Sequence, residues 1–421
     1  MPVPAKTPPK APAKRTVAKQ TVAKQTMAKQ TMAKQSSAKA TSKPVAKPAK
    51  RTTARAKAVK PLTSARLVRT RSRGKVRLRP AAYRSRGRVV YSPWKEPTFV
   101  NDSTDGDVSD GEDPVVRQAA IDALGQYNGT VVVADPFSGR ILTIVNQKLA
   151  LKSGFIPCST VKILTAFAAL SEGIVDRGTF LRLSRYKSMN LTEALAVSNN
   201  PYFAVLGEKL GFDRVIYYSR LFGFGEKAGL NIAGEQAGIL PTRTPPEGVG
   251  MMTSFGSGIS LTPLGLAGVL STIANGGTLY YLQHPRSAEE AEAFVPRVKR
   301  HLDIERFIPE VKPGLEGAVE YGTARRAGSK TDETILGKTG TCTDERSPTH
   351  MGWFGSYNES SRNKLVVVVM LTGGRPVNGP VASGVAGAVY RNLSHQDYFA
   401  DADPTRTGRP GSLVKSACCV R

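Results

Sequence analysis

The first 92 residues of this 421-residue chain contain no aspartate and no glutamate. They hold 26 of its 60 lysines and arginines, so +26 of the formal +27 charge comes from this stretch and the remaining body is nearly neutral. A segment of Ala, Lys, Arg, Thr and Pro with few aromatics cannot bury enough apolar surface to fold, and its like charges repel. Residues 1–92 are therefore expected to form a disordered basic tail. Within it, Ala18 to Ser36 repeats every five residues as Ala-Lys-Gln-Thr-x, a period that fits neither helix nor strand. Such a tail suits nonspecific binding of nucleic acid or another anionic polymer, or of a membrane surface. Aromatics that would stack bases are missing before Tyr83. A solvated tail without a partner fits equally well.

Long hydrophobic runs are also missing. No stretch is long and apolar enough to span a bilayer, and the amino terminus has no apolar signal segment. Histidine is scarce: His284, His301, His350 and His395 are the only four, and neither they nor the four cysteines fall at zinc-ligand spacing. There is no Gly-rich phosphate loop. No metal or cofactor is expected, and a nucleophilic serine would have to draw on a base other than histidine.

What is present begins with a change of sign. Asp102, Asp105, Asp107, Asp110, Glu112 and Asp113 crowd one short stretch, and residues 93–127 read as a solvated acidic linker. The folded body is expected over 128–395. Thr130 to Ala134 and Ile141 to Val145 read as a strand pair around the turn Asp135 to Gly139. A helix is expected from Ser159 to Glu172, stopped by Gly173. Leu191 to Leu279 is largely helical. Three late strands follow at Leu336 to Cys342, Met351 to Tyr357 and Lys364 to Thr372, then a helix from Val381 to Leu393. Two early and three late strands around a helical middle predict an α/β (α+β) fold, with one sheet built from both chain ends and a helical lobe inserted. His284 to Pro313 reads as an insertion whose Ala-Glu-rich first half is a surface helix, and 396–421 as a flexible tail.

Ser159-Thr160-Val161-Lys162 is the candidate for chemistry. Three residues apart at a helix start, Ser159 and Lys162 share a face. Ile163, Leu164 and Phe167 surround the lysine with apolar groups, so its pKa falls and its neutral amine can take the serine proton. Taken singly the pattern is common, since Ser36, Ser72, Ser92, Ser184, Ser361 and Ser412 also start Ser-x-x-Lys, and Ser188, Ser198, Ser356 and Ser361 each start Ser-x-Asn. Lys338-Thr339-Gly340 is rarer and falls on an expected strand.

In combination and in this order the three motifs resemble those of penicillin-binding proteins and serine β-lactamases. The extended matches are Pro157 to Lys162, Ser198-Asn-Asn-Pro-Tyr-Phe203 and Gly337 to Thr341. Phe222 to Gly225 leading to Glu235 and Gly238 to Pro241, Ser257 to Leu264, Ala274 to Gly277 and Tyr321-Gly-Thr323 also resemble the transpeptidase domain. The likeness runs from about Asn128 to Leu393.

The resemblance implies a β-lactamase-like fold with a five-stranded antiparallel sheet, and a D,D-transpeptidase or carboxypeptidase acting on peptidoglycan stem peptides and acylated by β-lactams. In that scheme Ser159 is the nucleophile, Lys162 its proton acceptor, Ser198 a proton relay and Asn200 a holder of the substrate amide. Lys338 and Thr339 bind the terminal carboxylate, Gly340 lets the substrate backbone approach, and the N–H groups of Ser159 and Thr341 form an oxyanion hole. Cys158 stands where glycine is common. Cys158 and Cys342 also match the positions of a disulfide in serine carbapenemases, which implies a bridge clamping the nucleophile to the strand; two free buried thiols are the alternative. A β-lactamase is a second reading, although no Glu-x-x-Leu-Asn segment supplies a deacylating base, and a β-lactam sensor a third. The chemistry places the protein in the cell envelope or periplasm.

Overall fold

Four consecutive valines, Val366 to Val369, are all fully buried, which requires a strand covered on both faces. The computed structural model describes residues 94–400 apart from 330, 332, 345–347 and 361–362. The basic stretch 1–92, Cys418 and Cys419 lie outside the described residues. In chain order the elements are α1 (Pro114–Leu124), β1 (Gly129–Ala134), β2 (Ile141–Val145), α2 (Gln147–Ala150), a 3-10 turn (Cys158–Thr160) and α3 (Val161–Ser171). Next come β3 (Leu181–Ser184), β4 (Lys187–Met189), α4 (Leu191–Ala196), α5 (Asn200–Leu221), α6 (Gly248–Phe255) and α7 (Pro263–Ala274). Then follow β5 (Thr278–Tyr280), α8 (Ala288–Glu292), β6 (Val298–His301), a second 3-10 turn (Glu305–Phe307) and α9 (Ile308–Glu320). The chain closes with β7 (Ile335–Asp344), β8 (Thr349–Asn358), β9 (Val366–Gly373) and α10 (Gly379–Ser394).

The main sheet has the order β2-β1-β9-β8-β7, and every pairing in it is antiparallel. Both chain ends meet at its centre, where Val131 of β1 faces Val369 of β9. This is the expected five-stranded antiparallel sheet with a helical lobe inserted. Strand alternation divides the valines. Val366, Val368 and Met370 join Val132 and the lobe residues Ile163, Phe167, Leu266 and Leu270 in one core. Val367, Val369 and Leu371 join Val131 and Val133 beneath α1 and α10.

Helix starts follow side-chain caps legible in the sequence. Asn378 caps α10, Thr262 caps α7 and Asn199 caps α5, each with a proline in the first turn. The α5 run is broken at Gly211, whose φ of 75° and ψ of 164° are open to glycine.

The acidic segment differs from the solvated linker expected of it. Its last member, Asp113, caps α1 by accepting from the Val115 and Val116 N–H groups. Glu112 is buried and accepts from Ile144 N–H (3.0 Å), Thr143 Oγ1 (2.6 Å) and Arg117 (2.7 Å), with His284 Nε2 at 2.8 Å. Asp107 accepts from the N–H groups of Asn146 (3.0 Å) and Gln147 (2.8 Å) and pairs with Arg117 at 3.2 Å. These carboxylates cover the outer edge of β2, whose backbone would otherwise be open. The charge run alone hides this, because Arg117 and His284 lie outside it. His284 also ties down the start of the expected insertion, while α8 buries no residue and is a surface helix.

The carboxyl end needs a similar correction. Tyr398 and Phe399 pack against the core under α10, and Tyr398 Oη donates to Asp113 at 3.2 Å. Residues 396–400 therefore belong to the domain, because two aromatics carry enough apolar surface to hold them.

Candidate active site

Ser159 sits in the 3-10 turn, two residues before α3 begins, rather than in the helix expected from it. The turn is held from several sides. Cys158 is joined to Cys342 of β7, with an S–S distance of 1.94 Å and a Cα–Cα distance of 5.7 Å. Thr160 Oγ1 donates to Pro157 O at 2.7 Å, and Trp353 Nε1 donates to Ile156 O at 3.1 Å. Cys158 has φ of 51°, the left-handed region that favours glycine. A Cβ on Gly340 would lie 3.0 Å from Pro157 O and 3.2 Å from both Cys158 Cβ and Trp353 Cβ. The missing side chain at Gly340 makes room for the turn that carries Ser159.

Lys162, the second residue of α3, is fully buried. Its Nζ lies 2.6 Å from Ser159 Oγ, 2.5 Å from Asn200 Oδ1 and 3.3 Å from Ser198 Oγ. The rings of Phe203 and Phe255 stand 5.8 and 5.9 Å from it. All three oxygens are neutral, so nothing in the set compensates a charge removed from water, and burial lowers the Lys162 pKa to about 7. A large fraction of the amine is then unprotonated near neutral pH. Ser198 reaches the lysine from the junction of α4 and α5, where its φ of 57° turns the chain sharply before the Asn199 cap.

β7 forms the opposite wall and is the last strand in its sheet. Lys338 is fully buried, and its Nζ donates to Thr339 O at 3.1 Å. Burial, then the charge of Lys162, hold its pKa well below the usual lysine value. The charge of an entering anion would favour the ammonium form against both effects. Thr339 Oγ1 is 2.5 Å from Thr323 Oγ1, and Thr341 Oγ1 accepts from Gly379 N–H at 2.7 Å.

Ser159, Ser198 and Asn200 thus converge on the Lys162 amine, whose charge is felt at Lys338. Of the other motif matches, three are described and lie elsewhere: Ser356 Oγ donates to Val367 O inside the sheet, and Ser184 and Ser188 lie exposed on the β3–β4 hairpin; Ser36, Ser72, Ser92, Ser361 and Ser412 lie outside the described residues. Cavities of about 360 and 290 Å³, lined by Asp176 and Glu310 in one case and Lys312 and Glu359 in the other, hold none of the site residues. Among the described residues no His, Cys, Asp and Glu group is placed to hold a metal. Trp353, Phe255 and Thr323 are site residues that sequence reasoning missed; only Thr323 had a signal, in the segment Tyr321-Gly-Thr323.

Comparison with known proteins gives the family. A family model described as the penicillin binding protein transpeptidase domain matches residues 129–395. Stage V sporulation protein D of Bacillus subtilis is 31% identical over 285 residues, covering 59% of this chain and 44% of that protein. Peptidoglycan D,D-transpeptidase FtsI of Escherichia coli K12 is 24% identical over 342 residues, covering 68% and 54%. The chain spans about half the length of these curated relatives. Among solved structures, the transpeptidase domain of Burkholderia pseudomallei penicillin-binding protein 3 superposes with a TM-score of 0.58 at 20% identity, covering 68% of this chain and 94% of that one. Pseudomonas aeruginosa PBP2 gives 0.56 at 24% identity, covering 70% and 78%.

Proposed function

This chain belongs to the penicillin-binding protein transpeptidase family, and on that premise we propose that it is a serine D,D-transpeptidase that acts on peptidoglycan stem peptides through a Ser159 acyl-enzyme and is acylated by β-lactams. The observation that carries the reading is the 2.6 Å contact between Ser159 Oγ and a buried Lys162 whose pKa is lowered to about 7.

In the reaction the Lys162 lone pair takes the Ser159 proton as Oγ adds to the carbonyl carbon of the penultimate D-Ala. The N–H groups of Ser159 and Thr341 meet the resulting oxyanion; one such donor is typically worth about 10²–10³ in rate. Collapse breaks the peptide bond, and Ser198 passes a proton to the departing D-Ala amine. Asn200 Oδ1 is engaged by Lys162, which leaves its amide N–H groups for the substrate carbonyl. Lys338 takes the terminal carboxylate by charge and Thr339 by its hydroxyl. An incoming amine then attacks the acyl-enzyme; with water in its place the same intermediate gives carboxypeptidase activity. The relatives named as peptidoglycan D,D-transpeptidases support the amine. The Cys158–Cys342 bridge fixes the nucleophile turn against β7. Such chemistry takes place in the cell envelope. No helix among the described residues is long and apolar enough to cross a membrane.

Covalent labelling with a fluorescent penicillin tests this. The wild type should retain a stable label and Ser159→Ala should not. Label on the alanine variant would remove Ser159 as nucleophile, and rapid drug hydrolysis without label would point to a β-lactamase.

A further inference from the structure

Thr323 touches both walls of the site. Its N–H donates at 3.2 Å to Ala196 O, the end of α4 and two residues before Ser198. Its hydroxyl lies 2.5 Å from that of Thr339 on β7. Its neighbours enforce the approach: a Cβ on Gly322 would clash with Ala196 O and sit 2.8 Å from Ala318 Cα, so the turn lies flat against the lobe. Thr339 is only 4% exposed, which leaves its hydroxyl little access to water.

A threonine hydroxyl has one proton to give and lone pairs to accept with. Two hydroxyls in contact share a single proton between them. If Thr339 gives its proton to a substrate carboxylate, it can only accept from Thr323, and Thr323 has to be the donor. We infer that Thr323 is a positioning residue: it donates to Thr339 Oγ1, aims the Thr339 proton at the incoming carboxylate, and registers the Lys338–Thr339 strand against the Ser198 turn. A chain of two hydroxyls ending on a carboxylate also polarises in one direction, which strengthens each bond. The inference rests on the acyl-transfer reading above and adds a residue to its carboxylate seat.

The test compares acylation of the full chain by benzylpenicillin, which carries a carboxylate, with acylation by its methyl ester, which does not. Thr323→Val keeps the shape and removes the donor. It should lower the second-order acylation constant for benzylpenicillin about tenfold, mostly through weaker binding, and leave that for the ester unchanged. Thr323→Ser should restore the constant to within about twofold of wild type. Equal losses for both ligands, no loss, or a serine variant as poor as valine would overturn the assignment in favour of a packing role. Should the valine variant fail to fold by circular dichroism, Thr323→Ala carries the same comparison. Failure of the wild type to label would instead sink the acyl-enzyme reading itself, so the two failures are separable.

Discussion

Asn200 Oδ1 stands 2.5 Å from Lys162 Nζ, nearer than Ser198 Oγ at 3.3 Å, so the asparagine is the closer of the second motif's two holds on the base. Being neutral, it binds the amine without fixing a charge on it. In the proposed mechanism the neutral amine is the active form, so acylation should rise as pH rises through about 7. Asn200→Asp puts a carboxylate at the same place, which favours the ammonium and moves the midpoint upward. Each unit of that move costs about tenfold in acylation at pH 6, below both midpoints. A pH profile of the acylation constant checks this; an unmoved midpoint in the aspartate variant would mean that another group sets the profile.

Lys162 should weaken the fold it serves. An unfolded chain keeps this proton up to about pH 10.5, whereas the folded protein keeps it only to about 7. Between those values the unfolded state binds more protons, so stability falls as pH drops from 10.5 towards 7. The full effect is on the order of 5 kcal/mol before relaxation. Lys162→Met should therefore be inactive yet melt higher at pH 7. The lost contacts to Ser159 and Asn200 offset part of the gain, leaving a rise of about 2–5 °C. A lower melting temperature would show that those hydrogen bonds outweigh the cost of burying the amine.

The disulfide and the backbone at Cys158 can be separated by mutation. The bridge joins residues 184 apart in sequence, so losing it should cost about 2–4 kcal/mol. With φ of 51°, position 158 suits glycine better than alanine. Cys158→Gly and Cys158→Ala both lose the bridge, but the glycine variant should be more stable by about 1 kcal/mol and acylate faster. Equal melting temperatures would mean that the turn relaxes once the bridge is gone.

Much of this was legible in the sequence, for local reasons. The apolar run Lys364 to Thr372 announced a strand, and the motif order pointed to Ser159, Lys162, Ser198 and Lys338. What stayed hidden depends on contacts between distant segments. Glu112 reads as one acid in a charged run until Arg117, Thr143 and His284 are folded around it. That Gly340 also leaves room for the Pro157–Cys158 turn shows only once that turn is packed on it. Thr323 is marked in the sequence only by the segment Tyr321-Gly-Thr323; its part follows from where Ala196 and Thr339 come to lie.

The Glu112 cluster should act on stability and leave the chemistry alone. Burial pushes its carboxyl up, but hydrogen bonds from His284, Thr143, the Ile144 N–H and Arg117 outweigh burial and hold the pKa below 4.5. A depressed carboxyl stabilises the fold above the unfolded value of 4.5, and that contribution is lost as pH falls through the folded value. Asp107 shares Arg117 but is pushed up by burial, so its contribution runs the other way. The comparison has to be made within Glu112 variants. Glu112→Gln should melt lower at pH 7 and lose less stability on acidification than wild type. Glu112→Ala, which leaves Arg117 with Asp107 alone and takes the acceptor from the buried Thr143 hydroxyl and Ile144 N–H, should cost about 3–5 kcal/mol. The cluster sits at the β2 edge, and Lys338 lies on β7 at the opposite end of the sheet. Acylation of folded Glu112→Gln by penicillin should therefore match wild type at 25 °C. A slower rate would show that the covered edge of β2 is felt across five strands, and that the segment before β1 is part of the enzyme's working structure as well as its scaffold.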